Sequence, residues 1–229
     1  MHWLFDPQLN LQSECLTDAE AKHAKSLRLS VGEEIVVTNG AGLCVRATMT
    51  SESGFRIDSH FEVEKPRTSF HLIQALAKSD RDEMALQAAC ELGVSSVTPW
   101  ESSRSIVKWD GKAEKNQERW QQIAVSAMKQ SQQAWLPQVN PLAKTKQLRP
   151  FGIGLVLVPG ADKALSDAVP GASEVTLVVG PEGGLSESEV ELLTSQGFTP
   201  VRLGQSVLRT STAGPAAIAA LQFALGNWS

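Results

Sequence analysis

The spacing of apolar positions changes its period along the chain. Residues 17–29, TDAEAKHAKSLRL, open with Thr17 and Glu20 at capping-box spacing and continue with a helical period, which predicts a short helix. The segments EEIVVTN, GLCVRATMT and FRIDSHFEVE are rich in β-branched residues and separated by GAG and SESG, so a small antiparallel sheet or barrel is expected. EKPRTS reads as a linker, because Pro66 stops a strand and the pattern changes after it. From Phe70 the chain alternates. A strand, FHLIQALAK, is followed by a helix from Asp80 to Leu92 with an Asp80/Glu83 capping box, a stop at Gly93 and a strand SSVTPW. A long amphipathic helix over about 113–132 comes next, then a loop through Pro137, Pro141 and Pro150. The alternation resumes with strand 153–158, a short helix near 162–168, strand 175–180, helix 186–196, strand 200–204 and an apolar helix at about 212–225. Strands alternating with helices imply an α/β domain with a largely parallel sheet covered on both faces.

Composition adds bounds to this picture. The 229 residues are 42% hydrophobic and 20% charged, enough for one large domain or two modest ones. No apolar stretch approaches the roughly 18 residues needed to span a bilayer, and MHWLFDPQLN lacks a basic segment followed by an apolar core. A soluble, unexported, cytoplasmic protein is therefore expected, with no membrane partner. Cys15, Cys44 and Cys90 are far apart and lack histidines at metal-ligand spacing, so they read as buried thiols in a reducing compartment, with no metal site. The net charge of −4 is uneven: −3 over residues 1–68, +3 over 69–149 and −4 over 150–229. A chain that coats nucleic acid along its whole length is excluded, while a positive patch in the middle remains.

Two stretches carry candidate chemistry. VVGPEGGLSESEVELL, residues 179–194, leaves a strand, turns through Glu182-Gly183-Gly184 and enters a helix with a Ser186/Glu189 capping box. Such a turn is either a tight connection that glycine permits or a ligand site at the carboxyl edge of the sheet. It is neither a dinucleotide fingerprint nor a triphosphate loop, and Glu182 would repel a phosphate. The second stretch, LGQSVLRTSTAGPAAIAAL, residues 203–221, again leaves a strand and enters an Ala-rich helix, with Arg209 among Leu208, Thr210 and Thr212. If the two turns lie at adjacent strand ends they form one pocket.

At these turns the sequence resembles the SPOUT class of methyltransferases, and more narrowly the bacterial family that methylates N3 of a uridine in 16S ribosomal RNA. The likeness is carried by ALAKSDRDEMALQAACELGVSSVTPWESSRSIVKW, ERWQQIAVSAMKQS with LPQV, the two stretches above, and HAKSLRLSVGEEIVV near the start, in the family's order. It implies a PUA-like β-barrel RNA-binding domain over 1–68 and a SPOUT methyltransferase domain over 69–229 whose C-terminal chain threads a trefoil knot, a topology that general rules would reject. It also implies a homodimer, S-adenosyl-L-methionine as methyl donor and 16S ribosomal RNA, within the 30S subunit, as partner. The implied cofactor positions are Leu157, Val158, Pro159, Gly160, Val179, Gly180, Pro181, Glu182, Gly183, Gly184, Leu203, Gly204, Val207, Leu208, Arg209 and Thr210.

On this reading Gly180, Gly183 and Gly184 let the main chain approach the donor, and Glu182 faces a cationic sulfonium. Methyl transfer to uracil N3 requires loss of its proton, for which Glu182 is the acid/base candidate, with Arg209 or Arg104, or backbone amides alone, stabilising the anion. Lys25, Arg28, Arg46, Arg104, Lys108 and Arg119 are candidate RNA contacts, joined by Lys65, Arg67, Lys112 and Lys115. Trp100, Trp109, Trp120 and Trp135 read as core or interface, with Trp109 the one candidate for base stacking. Two positions depart from the family: Ser211, where many relatives have glutamate, and the segment at Gln133, where many have arginine. The rival readings are a non-catalytic RNA-binding module, a SPOUT methyltransferase with another RNA target, and a nucleotide-using α/β enzyme, the last disfavoured by the missing phosphate motifs.

Overall fold

The computed structural model describes residues 1–169 and 171–228. The chain divides into two compact units, one of Met1–Lys65 with Val125–Leu136, the other of Pro66–Ala124 with Pro137–Ser229.

The first unit is built on β1 (His2–Phe5), α1 (Asp18–Ser26), β2 (Glu34–Thr38), β3 (Leu43–Met49) and β4 (Phe55–Glu62). The strands form one sheet in the order β1-β2-β3-β4, antiparallel except for β1, which runs parallel to β2. Alternation sorts the side chains. Ile35 and Val37 of β2 join Leu4, Val45, Ala47, Met49 and Phe55 in one core, while Val36 and Cys44 pack with Ala134 on the opposite face. α1 keeps half of its expected capping box: the Glu20 N–H donates to Thr17 Oγ1, but the Glu20 carboxylate turns away to pair with Lys129 at 2.6 Å. Both side chains are nearly buried, and a buried charge needs a partner more than a helix end needs a second cap.

The second unit contains β5 (Ser69–Ala75), α2 (Arg81–Glu91), β6 (Ser96–Glu101), the first two-thirds of α3 (Ala113–Gln130), β7 (Gln138–Val139), β8 (Ala143–Lys144), β9 (Ile153–Leu157), β10 (Glu174–Val179), α4 (Glu187–Ser195), β11 (Phe198–Val201) and α5 (Thr210–Ala224). Its seven strands are all parallel, in the order β11-β9-β10-β5-β6-β7 with β8 also on β6. One face packs Ile73, Ala75, Val156 and Val178 against Leu193 and Phe198. On the other face α5 comes so close that a Cβ at Gly214 would lie 3.0 Å from Leu72 Cδ1.

The α/β grammar read from the sequence is present, with three corrections. Asp80 does not cap α2: it has φ 57 and no side-chain cap bond, and the buried Asp82 carboxylate accepts the Ala77 and Glu83 N–H groups instead. The expected helix near 162–168 is a single 3₁₀ turn, Leu165–Asp167, because the preceding residues are drawn into extended pairing with Arg202. Cys15 is exposed, whereas Cys44 and Cys90 are buried and burial pushes the Cys90 thiol up to about 12.

The order of the last strands positions the site. From β9 the chain moves inward to β10, then outward past β9 to β11, and must return for α5 to pack on β10, β5 and α2. On the way back Arg202 donates its N–H to Lys163 O and accepts from the Leu165 N–H, so the returning chain is bound to the β9–β10 connection. This is the path that a knotted C-terminus requires. A Gly214→Leu substitution overfills the α5 contact, and urea unfolding is expected to show a loss of about 2 kcal/mol.

Candidate functional site

Three connections meet at the carboxyl ends of β9, β10 and β11. The first is Pro181–Gly184, where Pro181 sets the turn, the Gly184 N–H donates to Pro181 O at 2.9 Å, and Gly184 has φ 67, which glycine adopts without strain. Arg104 Nη1 donates to Gly183 O at 3.0 Å from the other side. The second is the start of α5. Thr210 Oγ1 donates to Gly180 O at 2.9 Å and accepts from Nε2 of the fully buried Gln74 at the same distance. The third follows β9, where the Val158 N–H donates to Val201 O.

The α4 cap is complete, with the Glu189 N–H on Ser186 Oγ and the Ser186 N–H at the limit of reach from the Glu189 carboxylate. That carboxylate also takes the Ser103 N–H at 2.7 Å, the Ser103 and Ser102 hydroxyls, and Thr145 Oγ1. Burial alone would raise it, but the hydrogen bonds from Ser103, Ser102 and Ser186 together outweigh burial and hold it below its ordinary 4.5. Glu189 thereby fixes the segment leading from the Pro181–Gly184 turn into α4.

These connections enclose a pocket of about 520 Å³. Its walls include fourteen of the sixteen residues implied as cofactor contacts: Leu157, Val158, Pro159, Val179, Gly180, Pro181, Glu182, Gly184, Leu203, Gly204, Val207, Leu208, Arg209 and Thr210. Gly160 lies instead on a shallow neighbouring depression, and Gly183 faces Arg104. Ser206 also lines the pocket, within the implied stretch Leu203–Thr210, and four lining residues lie outside the stretches implied by the sequence: Arg81, Leu185, Val190 and Ala213. Arg81 opens α2, and finding it required knowing that β5 lies beside β10, which the chain order does not reveal.

Glu182 sits on the wall with one oxygen engaged: Oε1 accepts the Lys78 N–H at 3.1 Å and faces Arg81 Nη1 at 3.5 Å, while Oε2 has no hydrogen-bond partner among the described residues. Arg209 is exposed at the N-cap of α5, and its carbonyl takes the Thr212 and Ala213 N–H groups. Arg104 is not on the pocket wall. The pocket lies within the range of about 300–1,000 Å³ usual for small-molecule sites, with apolar walls for a ring, open backbone at Gly184 and Gly204, and a carboxylate suited to a cationic centre. This donor set fits S-adenosylmethionine. Among the described residues no group of three or more His, Cys, Asp or Glu could hold a metal.

Of the candidate RNA contacts, Lys25, Arg28 and Arg46 are exposed in the first unit. Lys25 lies 3.9 Å from Glu52, and Arg46 stacks 5.7 Å over Phe61. Arg28 holds a left-handed φ of 58 at the end of α1, where glycine is usual. In the second unit Lys108 is exposed, whereas Arg119 is committed to Glu83 by two contacts of 2.6 Å. Trp109 is no stacking platform: it is 5% exposed and meets Trp120 edge-on at 5.2 Å. Ser211 lies in the first turn of α5, and Gln133 Nε2 donates to Ser131 Oγ.

Residues 63–222 match the RNA methyltransferase domain family, and residues 16–57 match the RNA methyltransferase PUA domain. The chain belongs to the RNA methyltransferase family. Among the relatives of this family member, ribosomal RNA small subunit methyltransferase E of Mycobacterium bovis is 34% identical over 224 residues, covering 91% of this chain and 86% of that protein. The protein of the same name from Bacillus subtilis is 30% identical, covering 91% and 89%. Ribosomal RNA small subunit methyltransferase E of Neisseria gonorrhoeae, solved bound to S-adenosyl methionine, superposes on this family member with a TM-score of 0.89 at 31% identity, covering 97% of each chain. The fold is therefore the mostly parallel α/β domain of SPOUT methyltransferases with a small N-terminal sheet.

The Glu189 carboxylate is held below its ordinary value, so its stabilisation is complete above that value and is lost as pH falls through the depressed one. Glu189→Gln is expected to cost about 2 kcal/mol at pH 7 in urea unfolding, and the gap to the parent protein should close in acid.

Proposed function

We propose that this chain methylates N3 of a uridine in 16S ribosomal RNA of the small subunit, using S-adenosylmethionine bound between the turns after β9, β10 and β11. The observation that carries the reading is the convergence of those three turns on one pocket in a chain whose relatives are named small-subunit ribosomal RNA methyltransferases. The donor, when bound, supplies an electrophilic methyl group on a sulfonium. The protein's task is to orient and to keep water away. Gly180, Gly184 and Gly204 admit the donor to the main chain, and Leu157, Leu203 and Leu208 shield it. Glu182 takes the N3 proton on Oε2, since Oε1 is already tied to the Lys78 N–H. Arg209 borders the pocket as a further donor.

RNA is held by the PUA-like region over 1–68, where Lys25, Arg28 and Arg46 present exposed charge, and by Arg104 and Lys108 beside the pocket domain's surface. The target base is presented out of its stack. The enzyme works as a homodimer in the cytoplasm. Support for a second copy comes from large apolar side chains left open on and beside α2 and α5: Met84 at 60%, Val207 and Phe223 at 76% and Trp228 at 45% exposure. An assembled 30S particle suits a protein of net charge −4 better than naked RNA, because its positive charge is local.

Mapping modified uridines in ribosomal RNA from a deletion strain is expected to show the loss of one 3-methyluridine, restored by the intact gene; retention of all of them would overturn the function. Glu182→Gln should lower turnover at saturating donor by about 10²–10⁴-fold while donor binding measured by calorimetry persists. Unchanged turnover would remove Glu182 as the proton acceptor.

A further inference from the structure

The β5–α2 turn carries strain that enclosure of a cofactor does not explain. Ser79 and Asp80 are consecutive and both left-handed, with φ 56 and 57. Neither is glycine, so the turn is strained at both positions. The strained pair brings Arg81 to the pocket wall as the first residue of α2, at the positive end of that helix. Two carboxylates hold the turn in place. Asp82, buried, accepts the Ala77 N–H at 3.1 Å, and Glu182 reaches across from the turn after β10 to accept the Lys78 N–H and face the Arg81 guanidinium. The Arg81 side chain is nevertheless 37% exposed, so its charge is oriented without being buried.

We propose that Arg81 is a catalytic residue that stabilises the negative charge formed on the uracil ring when N3 gives up its proton. The inference rests on the reading of the site as a uridine-N3 methyltransferase. N3 passes its proton to Glu182 Oε2 and directs the freed electron pair at the methyl carbon, whose bond to sulfur breaks with its electrons leaving on sulfur. The proton later leaves Glu182 for solvent. Proton transfer moves one negative charge from the Glu182 carboxylate to the carbonyl oxygens flanking N3. The guanidinium that faced the carboxylate then faces the ring anion, so its attraction to the base, absent while the ring is neutral, grows as the proton leaves. Arg209, exposed at a helix cap and without an ion-pair partner that orients it among the described residues, lacks this arrangement.

The test compares full-length Arg81→Gln and Arg81→Lys with the parent protein, using calorimetry for S-adenosylmethionine binding and single-turnover methylation of 30S particles from a deletion strain. Arg81→Gln should keep its donor affinity within about 3-fold and lose about 10²-fold in rate, as removal of one oxyanion donor does. Arg81→Lys should retain more of the rate, and added guanidinium ion should restore part of the activity of Arg81→Gln, which a merely structural role would not permit. A loss confined to donor affinity, or an unimpaired Arg81→Gln enzyme beside an active parent, would overturn the role of Arg81 alone. A parent protein that binds the donor yet leaves every uridine N3 unmodified would overturn the proposed function and this inference together.

Discussion

The site depends on one hydroxyl. Thr210 donates to Gly180 O and accepts from Gln74, a side chain with no exposure, so that the end of β5, the exit of β10 and the start of α5 share one short hydrogen-bonded chain. In a dry interior such a chain is worth more than its separate bonds, and breaking it leaves buried polar atoms without partners. It also answers a topological problem. α5 is the last element of a chain that has wound outward to β11, and something must register its first residue against a strand placed in the sheet long before it. Thr210 does this at the point where the pocket needs its floor.

Around that anchor the turn after β10 is gripped from both sides. Arg104 holds Gly183 O, and Glu182 is drawn to the Lys78 N–H and Arg81. Glu189 fixes the way into α4 by gathering donors from Ser102, Ser103 and Thr145. A loop of proline and glycines would otherwise sample many conformations, and ordering it costs roughly 1–2 kcal/mol per residue. Here that cost is met by charged and hydroxyl groups on the segment after β6, at Thr145 and on α2, before any ligand arrives. The pocket is therefore preorganised, which is what an enzyme acting mainly by orientation requires.

What the sequence made legible follows from the range of the forces involved. Local signals were accurate where the interaction is local: the Ser186/Glu189 box formed as spaced, and β5, β9 and β10 lie close to their expected positions. Signals failed where a distant partner won. Asp80 is left-handed and makes no cap bond while Asp82 takes the Ala77 and Glu83 N–H groups, Glu20 left its cap for Lys129, and β1, not read from the sequence, pairs in parallel with β2. Most of the pocket residues were reachable through family likeness, because they are contiguous in the two strand-end turns. Arg81 was not, since its place depends on β5 neighbouring β10 across about a hundred residues of intervening chain.

That same long-range adjacency gives Glu182 its meaning. Quoted alone, a carboxylate between proline and two glycines reads as a repellent for phosphate and little more. Set against β5 it becomes the link between two strand ends, one oxygen spent on a strained turn and the other open. A residue that tied down its neighbour with both oxygens would be structural, and one with neither tied would be too mobile to place a proton. In the proposed reaction the division of labour between Oε1 and Oε2 would give both orientation of the cation and reach toward the base, and it arises from the order of strands rather than from the motif itself.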